Sequence, residues 1–135
     1  MTKEIFDGYK YIEGGVCAAK GFVANGLNCG INPVKEKFDL GVVYSEKECN
    51  AAGVYTQNKV KGAPIIVTKK HLEKSGGKAK AVIVNSKNAN TCNVDGEEIA
   101  EKVSELLADA IGIKPEEVIV ASTGVIGQRL SVKPF

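Results

Sequence analysis

The sequence has few of the residues and patterns on which several common functional classes depend. Its single histidine, His71, gives little scope for a Ser-His-Asp triad or a histidine metal site, and its polar surroundings predict a surface position. No apolar run approaches the ~20 residues of a membrane span, and the N-terminus has no apolar signal core, which predicts a cytoplasmic protein. The phosphate-binding motifs Gly-x-x-x-x-Gly-Lys and Gly-x-Gly-x-x-Gly after a strand are also missing, so we do not expect nucleotide binding.

The spacing of the cysteines and the net charge argue against further functional classes. The four cysteines have no Cys-x-x-Cys spacing, so we expect no metal site and predict reduced, mostly buried thiols: Cys17, Cys29, Cys49 and Cys92. A net charge of +2, from 18 basic and 16 acidic residues, is too weak to indicate a nucleic acid or membrane partner. With 44% hydrophobic and 25% charged residues, residues 1–135 are predicted to form a single globular domain.

The clearest predicted elements lie in the second half of the chain. Residues 79–85 and 118–121 are short apolar runs that predict strands, and the four consecutive apolar residues 81–84 predict a strand covered on both faces. Between them, residues 95–111 carry apolar side chains at helical spacing. Asp95 followed by Glu98 resembles a capping box, and Gly112 supplies the stop.

A strand, a helix and a strand in this order predict a β-α-β unit. A right-handed crossover makes the two strands parallel, so the polar loops after them meet at one rim and bring Asn88 close to Thr123. We therefore predict an α/β fold, with α+β layers in which a mixed sheet packs against helices.

The first half of the chain gives weaker signals. Glycines crowd residues 14–30 and predict tight turns or short irregular strands. Residues 39–45 and 52–56 are predicted strands, joined by a polar connection at 46–50. Residues 64–74 are consistent with a strand or a helix, and Pro64 at a helix's first position favours the helix.

The two polar loops are the candidate sites. In the loop at 122–127, small hydroxyl residues precede Gly124, an arrangement that can aim a hydroxyl and backbone N–H groups at an anion or a developing oxyanion. In the loop at 85–90, Asn88 and Asn90 are candidate substrate contacts, because ligands bind at the carboxyl ends of strands in open α/β sheets. An ordinary structured turn is the alternative for both loops.

Four segments occur in an order and spacing that resemble one family: residues 21–30, 51–58 (Ala-Ala-Gly-Val-Tyr-Thr-Gln-Asn), 85–90 (Asn-Ser-Lys-Asn-Ala-Asn) and 122–127 (Ser-Thr-Gly-Val-Ile-Gly). The chain resembles, over nearly all its residues, the N-terminal part of the ornithine acetyltransferases, self-processing enzymes of arginine biosynthesis that are often also glutamate N-acetyltransferases. It departs from the family at Ala19, where Pro is common, and at Lys87, where Gly is usual.

The resemblance implies a mechanism that needs no histidine. Such a precursor cuts itself before an internal Thr, which then accepts acetyl from N-acetylornithine and passes it to glutamate. The matching Ala-Thr-Met segment is not in this sequence, so we expect the chain to continue past Phe135 and to pair with a C-terminal β chain, in a tetramer of two α and two β chains. The resemblance assigns Thr123, through its hydroxyl, and Gly124, through its N–H, to the oxyanion hole.

Further expectations concern cofactors and alternatives. No cofactor is expected, although acetyl-CoA is a conceivable second acetyl donor. A related self-processing aminopeptidase and a non-catalytic binding module are the competing interpretations. The enzyme-part hypothesis predicts an exposed apolar edge or patch, whereas a free-standing module predicts a closed surface.

Overall fold

The structure, a computed structural model, describes residues 4–6 and 8–135. Single 3₁₀ turns occur at Gly15–Ala18 and Pro115–Glu117. The strands and helices are, in chain order, β1 (Glu4–Phe6), β2 (Tyr9–Lys10), β3 (Phe22–Leu27), β4 (Leu40–Asn50), α1 (Ala63–Lys74), β5 (Lys78–Asn85), α2 (Gly96–Ile111) and β6 (Val118–Ser122).

The main sheet has four strands in the order β3-β4-β5-β6, while β1 and β2 form a separate two-stranded sheet. Strands β3, β4 and β5 pair antiparallel, and β5 pairs parallel with β6, from Ala81 opposite Val118 to Asn85 opposite Ser122. The parallel pair confirms the predicted β-α-β unit, because α2 connects the two strands. The sheet is therefore mixed, as predicted.

Both α-helices pack on one face of this sheet and close the core there. The core joins Val67 of α1 and three residues of α2 to strand residues of β5 and β6. Side chains of β5 alternate between buried and half-buried, as the two-residue period of a strand requires. The fully buried or nearly buried members of the core are Val67, Ala81, Ile83, Ala100, Val103, Ala108, Val118 and Val120.

The opposite face of the sheet, called here the open face, does not pack against α1 or α2. Pairing along the strands places Val43, Val82 and Ile119 side by side on it, and all three are only half-buried. The prediction that β5 is covered on both faces is wrong for the described residues, because consecutive apolar residues alternate between the two faces. The open face consists of Phe22, Ala24, Gly26, Gly41, Val43, Val82, Val84, Ile119 and Ala121.

The first half of the chain differs most from expectation. Strand β4 continues through the predicted connection at 46–50, after a register irregularity between Tyr44 and Cys49 that lets Cys49 pair with Ala79. The predicted strand at 52–56 is wrong: these residues have no regular structure, and Val54 is fully exposed. Residues 22–27 lie in the region predicted to form tight turns or short irregular strands, and they form a regular strand because β4 supplies a continuous partner.

Both α-helices lie where the sequence predicts them, and the one difference is the predicted capping box. Helix α1 begins with Pro64 in its first turn, which confirms the helical alternative for residues 64–74. Helix α2 ends at Gly112, which adopts the left-handed conformation with φ of 71°. The predicted capping box is wrong, because Asp95 pairs with Arg129 instead of capping the helix. No helix in the described part of the chain is long and apolar enough to cross a membrane.

His71 and the cysteines lie where the sequence did not predict them. His71 is 4% exposed, and its Nδ1 and Nε2 lie 2.9 Å from the carbonyl oxygen of Val118 and 2.8 Å from Oε2 of Glu101. The surface prediction is wrong because helical spacing turns His71 toward β6. The four cysteines are free as predicted, but none is fully buried: Cys17 and Cys92 are exposed, and Cys29 and Cys49 are half-buried.

Candidate active site at the carboxyl rim of β5 and β6

The loops after β5 and β6 continue the pairing of the two strands beyond their ends. Thr123 N–H donates to the Asn85 carbonyl at 2.9 Å, and Val125 N–H donates to the Lys87 carbonyl at 3.0 Å. Ala89 N–H donates back to the Val125 carbonyl at 2.9 Å. We call residues 86–91 and 123–128 the rim loops. Their contact confirms the prediction that Asn88 and Thr123 share one rim.

Gly124 lies between the two bonded amides of its loop. Its own N–H has no acceptor among the described residues. Its φ is +132°, and a Cβ atom there would lie 2.2 Å from the carbonyl carbon of Lys87. Only glycine fits, because the backbone conformation disfavours side chains and the neighbouring loop occupies the space a side chain needs. The Gly124 N–H is therefore an unpaired donor in a closely packed backbone, and the N–H groups of Lys87, Asn88, Thr91, Ile126 and Gln128 in the same loops also have no acceptor among the described residues.

The Thr123 hydroxyl lies next to this donor in the chain. Thr123 is exposed, and its hydroxyl bonds to no group of residues 8–135. The residue lines a cavity of about 280 Å³ together with Asp39, Ser86 and the open-face residues Gly41 and Val84. A hydroxyl and a backbone N–H that are both free can bind an anionic oxygen.

Asn88 and Asn90, the predicted substrate contacts, are 5% and 1% exposed. Asn88 Nδ2 donates to the Gln128 carbonyl at 2.8 Å, and its Oδ1 accepts the Asn90 N–H at 2.8 Å. Asn90 Nδ2 donates to the Gly96 carbonyl at 2.8 Å, which fastens the loop to the start of α2. Both amides are thus bonded within the protein, and their role toward a substrate stays a prediction.

Two further asparagines support the rim loops, although the sequence analysis did not single them out. Asn85 Nδ2 donates to the Asn88 carbonyl at 2.9 Å, and Asn93 Nδ2 donates to the Gln128 carbonyl at 3.0 Å. The signal that could have found them is the density of asparagine just after a strand, since asparagine side chains bond readily to nearby backbone groups.

Asp39 was also missed, and it holds the segment between β3 and β4 against the rim. The carboxylate is buried and accepts N–H groups of Cys29 at 2.7 Å and Asn32 at 2.5 Å, while the Asp39 carbonyl accepts the Ser86 N–H at 2.9 Å. Burial alone would raise the pKa of this carboxyl, but the backbone N–H bonds outweigh it and lower the pKa. The pKa of the neighbouring Cys29 thiol is raised by burial and by its hydrogen bond to Asp39.

No group of three or more His, Cys, Asp or Glu side chains within the described ranges is placed to hold a metal ion. The chemistry that the rim itself offers is hydrogen-bond donation to a developing negative charge.

A sequence model of the ArgJ family matches residues 23–135. The chain belongs to the ArgJ family. This confirms the resemblance drawn from the four sequence segments, since the family's curated members carry names from arginine biosynthesis and N-acetyl transfer.

Two curated members of the ArgJ family illustrate the match. The arginine biosynthesis bifunctional protein ArgJ of Gloeobacter violaceus is 46% identical over 126 residues, which cover 93% of this chain and 30% of that protein. The glutamate N-acetyltransferase of Methanocaldococcus jannaschii is 41% identical over 123 residues, which cover 91% of this chain and 29% of that protein. The chain therefore spans less than a third of the length of these relatives.

Solved structures of family members have the same fold. The bifunctional protein ArgJ from Bacillus halodurans matches with a TM-score of 0.81 at 38% identity, over 87% of this chain and 60% of the solved chain. An ornithine acetyltransferase from Mycobacterium tuberculosis, solved in complex with ornithine, matches with a TM-score of 0.78 at 37% identity, over 85% of this chain and 62% of that one. These matches confirm the predicted α/β fold class.

Proposed function

We propose that residues 1–135 are the N-terminal part of a cytoplasmic acetyltransferase that moves acetyl from N-acetylornithine to glutamate in arginine biosynthesis. Support comes from family membership and from the names of the relatives, which include a glutamate N-acetyltransferase and an ornithine acetyltransferase bound to ornithine. No cofactor is required in this proposal, and acetyl-CoA remains a second acetyl donor to be tested.

The unpaired N–H of Gly124 beside the free hydroxyl of Thr123 is the observation that carries the proposal. When a nucleophile attacks the acetyl carbonyl, the oxygen becomes an oxyanion, and donors already in position stabilise it without reorganising. Each such donor contributes about 3 kcal/mol to lowering the barrier. In this proposal Thr123 and Gly124 form the oxyanion hole.

The nucleophile in this proposal is a threonine that begins a separate C-terminal chain produced by self-cleavage. The relative lengths support two chains: this chain covers 30% of the Gloeobacter sequence but 60% of the crystallised Bacillus chain, which is therefore about half as long. The half-exposed apolar side chains of the open face are suited to pack against that second chain. The assembly then contains two copies of each chain.

The proposal is tested by substituting Thr123 in the complete, self-processed protein. Thr123→Ala is expected to lower kcat for acetyl transfer from N-acetylornithine to glutamate by about 100- to 1,000-fold, because one donor to the oxyanion is lost. Thr123→Ser, which keeps the hydroxyl, is expected to retain most of the activity. Ser122→Ala removes the neighbouring hydroxyl and serves as the matched control with near-normal kcat.

Two results would reject the proposal. Equal kcat for Thr123→Ala and the wild type would remove Thr123 from the oxyanion hole. A wild-type protein that hydrolyses dipeptides and transfers no acetyl group would be a self-processing aminopeptidase instead.

A further inference from the structure

The side chain of Asn88 bonds the loop at 86–91 to the end of the loop at 123–128. Its Nδ2 reaches across 40 residues of sequence to the Gln128 carbonyl, and its Oδ1 accepts the Asn90 N–H of its own loop. Its backbone carbonyl accepts Nδ2 of Asn85 at the end of β5. One buried residue therefore connects the end of β5, the 86–91 loop and the end of the 123–128 loop.

The backbone bonds next to Asn88 also determine where the Gly124 N–H lies. The residues on either side of Asn88 both bond to Val125: Lys87 through its carbonyl and Ala89 through its N–H. Gly124 itself packs so closely on Lys87 that no side chain fits between them. A shift of Asn88 would move these neighbours, and the free donor of Gly124 would move with them.

We propose that Asn88 is a positioning residue that fixes the Gly124 N–H in the oxyanion hole, and that it does not contact substrate. This inference rests on the proposed function, because it assumes that the Gly124 N–H stabilises the oxyanion. The reason is the position of the amide: it is 5% exposed, and its nitrogen and oxygen are both bonded within the protein. The nitrogen and the oxygen each keep one further hydrogen-bonding position, but at this burial the amide has little access to a ligand.

Asparagine suits this position because the site needs a donor and an acceptor at the same time. A carboxylate of the same shape keeps the acceptor for the Asn90 N–H, but it turns an oxygen toward the Gln128 carbonyl where a donor is required. When that carboxylate takes up a proton, its O–H restores a donor toward the Gln128 carbonyl. In the variant Asn88→Asp, the hydrogen bond to the Gln128 carbonyl therefore depends on pH.

The experiment compares Asn88→Asp with the wild type in the complete protein, at temperatures where both are folded. We expect kcat for acetyl transfer to fall by up to about 100-fold at neutral pH, because small displacements of catalytic groups cost this much, while KM changes less than about twofold. The ratio of variant to wild-type kcat is expected to rise as the pH is lowered. The charged side chains that line the same cleft as Asn88 are those of Lys87 and Arg129.

A control variant separates positioning from loss of stability. His71→Ala removes a buried side chain bonded to Val118, at the opposite end of β6, so it lowers the melting temperature without reaching the rim. We expect His71→Ala to keep its kcat and Asn88→Asp to lose it, even where their melting temperatures are equally reduced. Equal losses of kcat in the two variants would overturn the inference.

Other outcomes also decide the matter. A higher KM with unchanged kcat in Asn88→Asp would make Asn88 a substrate contact and reject the inference. If the wild type transfers no acetyl group, the proposed function fails separately, and amide hydrogen exchange still reports on the loops. Faster exchange of the Val125 and Ala89 N–H groups in Asn88→Asp, but not in His71→Ala, supports the positioning role, whereas unchanged exchange rejects it.

Discussion

The two ends of strand β6 differ in whether the backbone polar groups there have hydrogen-bond partners. From the start of β6 to its middle, α1 satisfies the outer edge with side chains: the Thr68 hydroxyl bonds both the N–H and the carbonyl of Val120 at 3.0 Å, and His71 bonds the Val118 carbonyl. Just past its other end, the Gly124 N–H has no partner among the described residues. The edge beside α1 is buried and is satisfied because an unpaired buried group is costly, whereas Gly124 is exposed and its N–H is available to a ligand.

The largest expected effect comes from Gly124→Ala, which would close the open end. The added Cβ would collide with Lys87 and would adopt an unfavourable φ, so we expect the free energy of unfolding to fall by about 2–5 kcal/mol and acetyl transfer to be lost. Gly127→Ala is the matched control, because Gly127 also has a positive φ but has open space around it. It should cost about 1 kcal/mol in urea unfolding. Equal costs for the two variants would show that the contact with Lys87 is unimportant.

At the satisfied end, Thr68→Val removes the hydroxyl with almost no change in shape. The N–H of Val120 then loses the hydroxyl acceptor on the outer edge, and we expect a loss of about 1–3 kcal/mol in the free energy of unfolding with kcat unchanged. Thr68→Ser, which keeps the hydroxyl, should lose less. A change in kcat for Thr68→Val would contradict the separation of the two ends.

Lys87→Gly relaxes the backbone on which Gly124 packs. Lys87 has a φ of 74°, where a side chain is unfavourable and glycine is not. We expect the variant to raise the free energy of unfolding by about 1 kcal/mol, measured by urea denaturation. A destabilised variant would mean that the lysine side chain makes a contribution larger than the strain.

The smallest effect appears only in acid, where the support of Asp39 is lost. The carboxyl of Asp39 has a lower pKa in the folded than in the unfolded protein, so its stabilisation is complete above the unfolded pKa and disappears as pH falls through the folded pKa. The melting temperature of Asp39→Asn should therefore lie below that of the wild type near neutral pH. The two should converge in acid, and a gap that stays constant with pH would exclude this linkage.

Much of the second half of the fold was predictable because its signals are local. Apolar side chains recur at helical spacing in residues 95–111. The apolar runs on either side are shorter than this segment and richer in β-branched residues. These features predicted α2, β5, β6 and the meeting of the two loops at one rim. The family resemblance then pointed to Thr123 and Gly124, whose catalytic role stays a prediction.

What the sequence did not predict depends on partners distant in the chain. Strand β4 extends through polar residues because a register irregularity brings Cys49 opposite Ala79, whereas residues 52–56 have good strand propensity but no partner. His71 is buried because β6 offers it a carbonyl, and the Asp95 side chain at the N-cap of α2 pairs with Arg129 instead of capping the helix. Side-chain bonding to distant backbone groups has no local sequence signature.

The attachment of α1 to the outer edge of β6 also limits where a further strand can pair with this sheet. The hydroxyl of Thr68 and the imidazole of His71 already occupy the groups that another strand would need there. Among the described strands, β3 ends the sheet on the other side without such a helix-borne partner for its ladder. Any strand recruited from elsewhere would therefore add beside β3, so enlargement of the sheet is one-sided.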